Sequence, residues 1–177
     1  MVAEGFDAGI RYDESLENDM VAIPIGPRVQ RYAAAASPEY LARRGPPTHP
    51  RDLLDHDCIA WRFPNVPRHV WQFERHGETI HVEPRGPLVA GFGGATDLAV
   101  QAAIAGCGIL YLFEDWLRPA LDRGALVPVL EPSWLRFPGP FLYYPGRLYL
   151  PAPLRACVDF IKTTSAPVRT RPRHPGK

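Results

Sequence analysis

From Gly86 onward the chain alternates between two hydrophobic periods, and that alternation limits what it can fold into. "PLVAG" is a short apolar run, "GFGGA" a glycine-rich turn, "TDLAVQAAIAG" an amphipathic segment closed by Gly106, and "CGILYLF" a second apolar run. A strand, a helix and a strand in that order favour parallel strands with the helix packed across them. The pattern continues with a helix at "EDWLRPALDRG" and a strand at "ALVPVL". After the loop "EPSWLRFPGP" come a strand "FLYYP" and a closing helix "APLRACVDFIKTT". The fold class is α/β with a largely parallel sheet.

The first half is more heavily punctuated. "FDAGIR" reads as a short buried strand, and "DMVAIPIG" as an edge strand because Pro24 has no amide to donate. "QRYAAAAS" runs into Ser37-Pro38, a helix-start pair in which Ser accepts from free amides and Pro is preset for the first turn. The helix "PEYLARR" ends at Gly45, a second short helix "PRDLLDH" follows, and "CIAW" is a strand. "VWQFERHGETIHVEP" alternates around His76-Gly77, which predicts a β-hairpin.

Composition narrows the function. Twenty Lys and Arg against 19 Asp and Glu leave a net charge of +1, so no basic surface argues for nucleic acid. No apolar run is long enough to span a bilayer, and the start "MVAEGFDAGIRYDES" lacks a secretory pattern, so a cytoplasmic location is expected. Cys58, Cys107 and Cys157 are odd in number and set in apolar surroundings, as buried free thiols would be. The tail "SAPVRTRPRHPGK", residues 165–177, is basic, proline-rich and expected to be disordered.

The glycine turn is the most informative candidate site. Gly91, Gly93 and Gly94 lie between a strand and a helix opened by Thr96-Asp97. Exposed amides at a helix start bind anions, and missing β-carbons let a ligand approach. Thr96 or Asp97 capping its own helix explains the same residues. Ser37 carries the same ambiguity between helix cap and cleft ligand, with the cap favoured. Arg11 ends a strand, where open α/β sheets place ligand groups, although a surface arginine reads the same way. No nucleophile stands beside a base: Ser37 has no Gly-x-Ser-x-Gly setting, and Cys107 lies in an apolar strand. The histidines lack metal-ligand spacing, and Asp52, Asp55 and Asp57 read as solvated charges. Neither a metal nor a cofactor is implied, and an enzyme is the weakest reading.

In order and wording, "GFDAGIR", "DMVAIPIGP" and "YAAAASPEYLARRGPPTHPRDLLDHDCIAWRF", then "ATDLAVQAAIAGCGILYLFEDWLRPALDRGALVPVL" and "FLYYPGRLYLPAPLRACVDFIK", resemble the C-terminal effector-binding domain of LysR-type transcriptional regulators. The resemblance runs from Gly5 to Thr164, and "SPEYLARRG", "DLLDHDCI" and "AGCGILYL" are its most specific phrases.

This resemblance implies the periplasmic-binding-protein type II architecture, two α/β lobes joined by crossing strands with an effector in the cleft. Residues 1–36 and 128–164 would form the first lobe and 37–127 the second. The first lobe would be incomplete, because the chain enters the family pattern partway and has no helix-turn-helix. A fragment, a truncated gene product or a trimmed piece of such a regulator is therefore expected. Carried over by position, Ser37 and Pro38 line one cleft wall, and Phe92, Gly93, Gly94, Ala95 and Thr96 supply amides and a hydroxyl. Arg62, Phe63 and Phe113 face the same space. The family often has a polar residue where Gly93-Gly94 stand, so backbone amides become the main donors here. The implied partners are a small anionic metabolite, further copies of the chain through the effector domains, and DNA through the absent helix-turn-helix. A stand-alone solute-binding protein of the same fold is the alternative.

Overall fold

Strand and helix alternate after Gly86 as the sequence predicts. The computed structural model describes residues 6–12, 19–63, 70–91, 95–146 and 150–164. They fall into two units, Met1–Val29 with Pro138–Lys177 (unit 1) and Gln30–Phe137 (unit 2). Phe92, Gly93, Gly94 and the tail 165–177 lie outside the described residues.

Unit 2 is built on a six-stranded sheet. Its strands are β3 (Val29–Ala36), β4 (Cys58–Arg62), β7 (Leu88–Gly91), β8 (Ile109–Phe113), β9 (Val127–Val129) and β10 (Arg136–Pro138). In order they run β10-β3-β8-β4-β7, with β9 also paired to β3. β4 is parallel to both β7 and β8, whereas β3 is antiparallel to β8 and β9. The unit encloses Ser37–Val127 and extends to Gln30 and Phe137, taking in β9 and most of β3 and β10, which all pair within this sheet.

β3 shows how the sheet is buried. Ala33, Ala34, Ala35 and Ala36 are all fully buried. Successive side chains on a strand point to opposite faces, so Ala33 and Ala35 join one core while Ala34 and Ala36 join the other. The first core includes Ala99 and Ala103 of helix α2 (Thr96–Ile104) and Leu117 and Ala120 of helix α3 (Glu114–Asp122). The second includes Tyr40 of helix α1 (Pro38–Arg44) and Leu53 of a 3-10 helix, Pro50–Asp55. Trp71 and Phe73 of β5 (Trp71–Arg75) and Val82 of β6 (Glu78–Val82) complete it. β5 and β6 form the predicted hairpin, with φ values of 53° at His76 and 79° at Gly77. Positive φ at both central residues is the geometry that matches the twist of paired strands.

The expected parallel pairing is confined to β4, β7 and β8; β3 is antiparallel to β8 and β9, and unit 1 departs from it altogether. β1 (Gly9–Arg11), β2 (Met20–Pro24) and β11 (Phe141–Pro145) form a three-stranded sheet in the order β1-β11-β2, antiparallel throughout. β2 lies at an edge, as Pro24 predicts. β1 is not the buried strand expected: it is the other edge, and Ile10 is exposed. Leu142 and Tyr144 of β11 pack on Leu154 and Val158 of helix α4 (Ala152–Thr164).

Three further expectations are corrected. The segment "EPSWLRFPGP" is not all loop: it holds a 3-10 turn, Glu131–Ser133, and β10. A three-residue strand ending in proline carries no periodicity to read. "PRDLLDH" is a 3-10 helix, started by a reciprocal cap between His49 and Asp52. The cysteines are free, but only Cys58 is buried; Cys107 and Cys157 are exposed, and Cys107 precedes β8 rather than lying in it.

The start of β8 sits so close to the strand entry at Asp57 that no side chain fits. Gly108 has φ of +152°, and a Cβ there would lie 2.4 Å from the Asp57 carbonyl oxygen. Gly108→Ala should therefore destabilise the chain by about 1–3 kcal/mol, read as a lower urea midpoint. Gly91→Ala, where a Cβ meets nothing within 4 Å, should stay within about 0.5 kcal/mol of the parent.

Candidate functional site

Because β4, β7 and β8 run parallel, their C-terminal ends share one edge of the unit 2 sheet. Arg62 pairs with Gly91 across the ends of β4 and β7. Phe113 ends β8 and pairs with Tyr32 of β3. Open α/β sheets bind ligands at this edge, where helix N-termini also gather. Arg62 is exposed, and Phe63 is half-buried against the first core. Trp61 steadies the end of β4 by donating its indole N–H to the Tyr111 carbonyl at 3.1 Å. Phe113 stacks on Tyr32 at 4.6 Å between ring centroids and lies 5.8 Å from Phe137.

Two helices start at this edge, and the sequence treats them differently. α3 opens with Glu114, 8% exposed, where a carboxylate meets the positive end of the helix. Arg31 of β3 grips it with two bonds: Nε donates to Oε2 at 2.5 Å and Nη2 to Oε1 at 2.6 Å. Arg118, one turn along, donates to the same Oε1. Arg31 also lies over the Trp134 ring, 5.3 Å from its centroid. The Arg31 hydrogen bond holds the Glu114 carboxyl below its ordinary range against the opposing effect of burial, and the charges of Arg31 and Arg118 act in the same direction as that bond. Glu114 in turn raises the Arg31 guanidinium. Among the described residues, α2 has no such partner. Its cap is Ala95, no side chain caps it, and Thr96 is half-buried in its first turn. Neither Thr96 nor Asp97 makes the cap bond allowed for in the sequence reading.

Ser37 lies elsewhere. It is buried, and its Oγ accepts from the Tyr40 amide at 3.2 Å, a helix cap. A Cβ on Gly106 would lie 3.5 Å from that Oγ, and Arg43 Nη2 donates to the Gly106 carbonyl at 3.2 Å. Gly106 follows the C-terminus of α2, whereas Thr96 begins it, and a helix of nine residues is roughly 13 Å long. Ser37 and Pro38 therefore sit at the opposite end of α2 from Thr96, and the structure does not bring them together. Arg11 is an exposed residue of unit 1, paired with Phe141.

The other polar residues serve local structure. Asp52 is not a solvated charge: it accepts from Thr48 N and His49 N, each at 2.9 Å, and from Thr48 Oγ1 at 3.0 Å. Those bonds, from Thr48 first, lower its pKa. His56 lies 3.1 Å from the Tyr40 hydroxyl through Nδ1, and burial followed by the Arg44 charge lowers its pKa. Burial pushes the Cys58 thiol up to about 12, so it stays protonated. Among the described residues, no group of three or more His, Cys, Asp or Glu could hold a metal ion, and no helix is long and apolar enough to cross a membrane.

A family model described as LysR substrate binding domain matches residues 1–166. The chain belongs to this LysR family. It is 39% identical over 163 residues to the HTH-type transcriptional regulator YcaN of Escherichia coli K12, covering 92% of this chain and 52% of YcaN. Among solved structures, the regulatory domain of AphB in Vibrio vulnificus superposes with a TM-score of 0.75 at 22% identity, covering 91% of this chain and 76% of that one. Full-length AphB, a Vibrio cholerae virulence activator, gives a TM-score of 0.73 at 25% identity, covering 90% and 52%. The chain thus spans about half the length of the curated relatives it matches. Its fold is the two-lobed, periplasmic-binding-protein-like α/β fold of LysR regulatory domains.

The sequence reading missed Arg31, Tyr32, Glu114 and Phe137. Glu114 left one legible trace, an acid at a strand-to-helix junction. Its partner Arg31 is 83 residues away and left none.

A depressed carboxyl pKa stabilises the fold above the unfolded value, and the benefit is lost as pH falls through the folded value. Glu114→Gln should cost on the order of 2 kcal/mol at pH 7. The gap to the parent should close as pH drops below about 4. Urea midpoints measured from pH 3 to 7 check both parts.

Proposed function

We propose that this LysR domain senses a small, anionic metabolite at the C-terminal edge of the unit 2 sheet, among Arg62, Phe63, Ala95, Thr96 and Phe113. What carries the reading is the unequal treatment of two helix N-termini at one edge. The positive end of α3 is matched by Glu114, whereas that of α2 has no capping side chain and shares its edge with the exposed Arg62. Backbone amides and a guanidinium suit a carboxylate. Phe63 and Phe113 offer apolar surface to the rest of the molecule. Arg11, Phe92, Gly93 and Gly94 remain candidates by family position.

Within a full-length regulator of this family, a helix-turn-helix domain would hold DNA, and effector domains would assemble copies of the chain. An effector with unequal affinity for two arrangements of the assembly shifts their populations and with them the grip on DNA. Ser37 contributes to stability in this scheme, not to binding.

The test is calorimetric titration of the chain with a panel of small mono- and dicarboxylates. For the acid that binds, Arg62→Ala should weaken affinity about tenfold or more, the loss of one charge-assisted contact. Thr96→Val should weaken binding with little change in stability, because Thr96 is not the cap. Ser37→Ala should cost about 1 kcal/mol of stability and leave affinity unchanged. Binding lost in folded Ser37→Ala but kept in Arg62→Ala would place the ligand at the other end of α2 and refute the reading.

A further inference from the structure

Unit 1 contains a cavity of about 280 Å³ that the sheet-edge reading does not use. Its walls include Pro24, Pro27, Arg28, Pro138, Pro140 and Phe141. They come from two segments, the one that leads out of unit 1 into β3 and the one that leads back into β11.

These walls are held in place without a ligand. The Ile25 amide donates to the Pro140 carbonyl at 2.8 Å, and the Gly139 amide to the Arg28 carbonyl at 2.9 Å. Gly139 lies so close to the other segment that a Cβ would come within 1.8 Å of the Pro27 carbonyl oxygen. Proline rings fix their own φ and have almost no rotamer freedom to lose. A ligand entering such a site would meet surfaces already in place, and affinity is gained mostly by avoiding ordering costs.

The lining also selects a chemistry. Proline rings and the half-buried Phe141 give flat apolar surface. Arg28 is exposed and is, among the described residues, the one charged residue of the lining. The volume falls just below the roughly 300–1,000 Å³ of sites for drug-sized ligands, which suits a molecule with a single ring. We propose that this cavity is a second small-molecule site, for a compact carboxylate with an aromatic or apolar body. The body lies against the prolines and Phe141, and the carboxylate pairs with Arg28. By joining the two wall segments, the ligand stabilises unit 1 through mass action. None of the residues assigned to the sheet edge lines this site.

Phenylacetate is a suitable probe, with phenylacetamide as its uncharged counterpart. Both are titrated into the ¹⁵N-labelled chain and followed by amide NMR. Phenylacetate should shift the amides of Gly26, Arg28, Gly139 and Phe141 saturably. Phenylacetamide, and phenylacetate with Arg28→Met, should each bind about tenfold more weakly or worse. Arg62→Ala should leave the affinity within about twofold. The proposal fails if these amides show no saturable shift up to about 10 mM, a weak limit for a ligand of this size. It fails equally if phenylacetamide binds as well as phenylacetate. Shifts confined to the Arg62 and Thr96 region, and lost in Arg62→Ala, would assign the ligand to the sheet edge and also overturn it.

Discussion

Four consecutive alanines can be fully buried only if both faces of their strand are covered. Much of unit 2 follows from covering β3. A side chain larger than alanine at Ala33 or Ala35 would crowd the core shared with α2 and α3, and one at Ala34 or Ala36 the core shared with α1, the 3-10 helix and the hairpin. Close packing makes even one added methylene costly there. The large residues stand on the neighbours instead: Tyr111 of β8 stacks with Trp71 at 5.1 Å, and Trp134 donates its indole N–H to the Val129 carbonyl at 2.9 Å. β3 acts as a thin plate between two cores, and its pairing with β8 fixes the sheet edge where the candidate site forms.

The direction of β3 explains why Ser37 and Thr96 lie at opposite ends of α2. Ser37 and Thr96 each precede a helix after a strand, so on paper they look equivalent. Thr96 follows β7, which points toward the same edge as β4. Ser37 follows β3, which is antiparallel to β8 and so points away from it. Strand direction within a sheet is a tertiary property, and no local pattern encodes it. By contrast, the β-α-β order, the Ser37 cap and the His76-Gly77 hairpin were legible because each depends on residues close in sequence. The Arg31–Glu114 pair was not, since only the folded sheet brings the two together. The antiparallel arrangement of unit 1 was equally hidden: its short strands carry too little periodicity to show direction, and β1 exposes residues that read as apolar core.

The charges near the sheet edge appear at first to cancel. Arg31, Arg118 and Arg62 stand against Glu114 and the first-turn acids Asp97 and Asp115. Net charge is nevertheless the wrong measure of what such an edge attracts. Asp97 and Asp115 are exposed, and water and salt screen exposed charges over about 8–10 Å. Glu114 is nearly buried and already bound by two guanidinium groups, so little of its field reaches a ligand. In the proposed site, the amides at the start of α2 and the Arg62 guanidinium would act by contact, at hydrogen-bond range, where screening is weakest. A carboxylate that reaches them exchanges water for charge-assisted bonds. One held a few ångströms away gains almost nothing. The anion preference proposed for this domain thus depends on reaching those groups directly, not on a long-range positive field that the chain, at net +1, does not have.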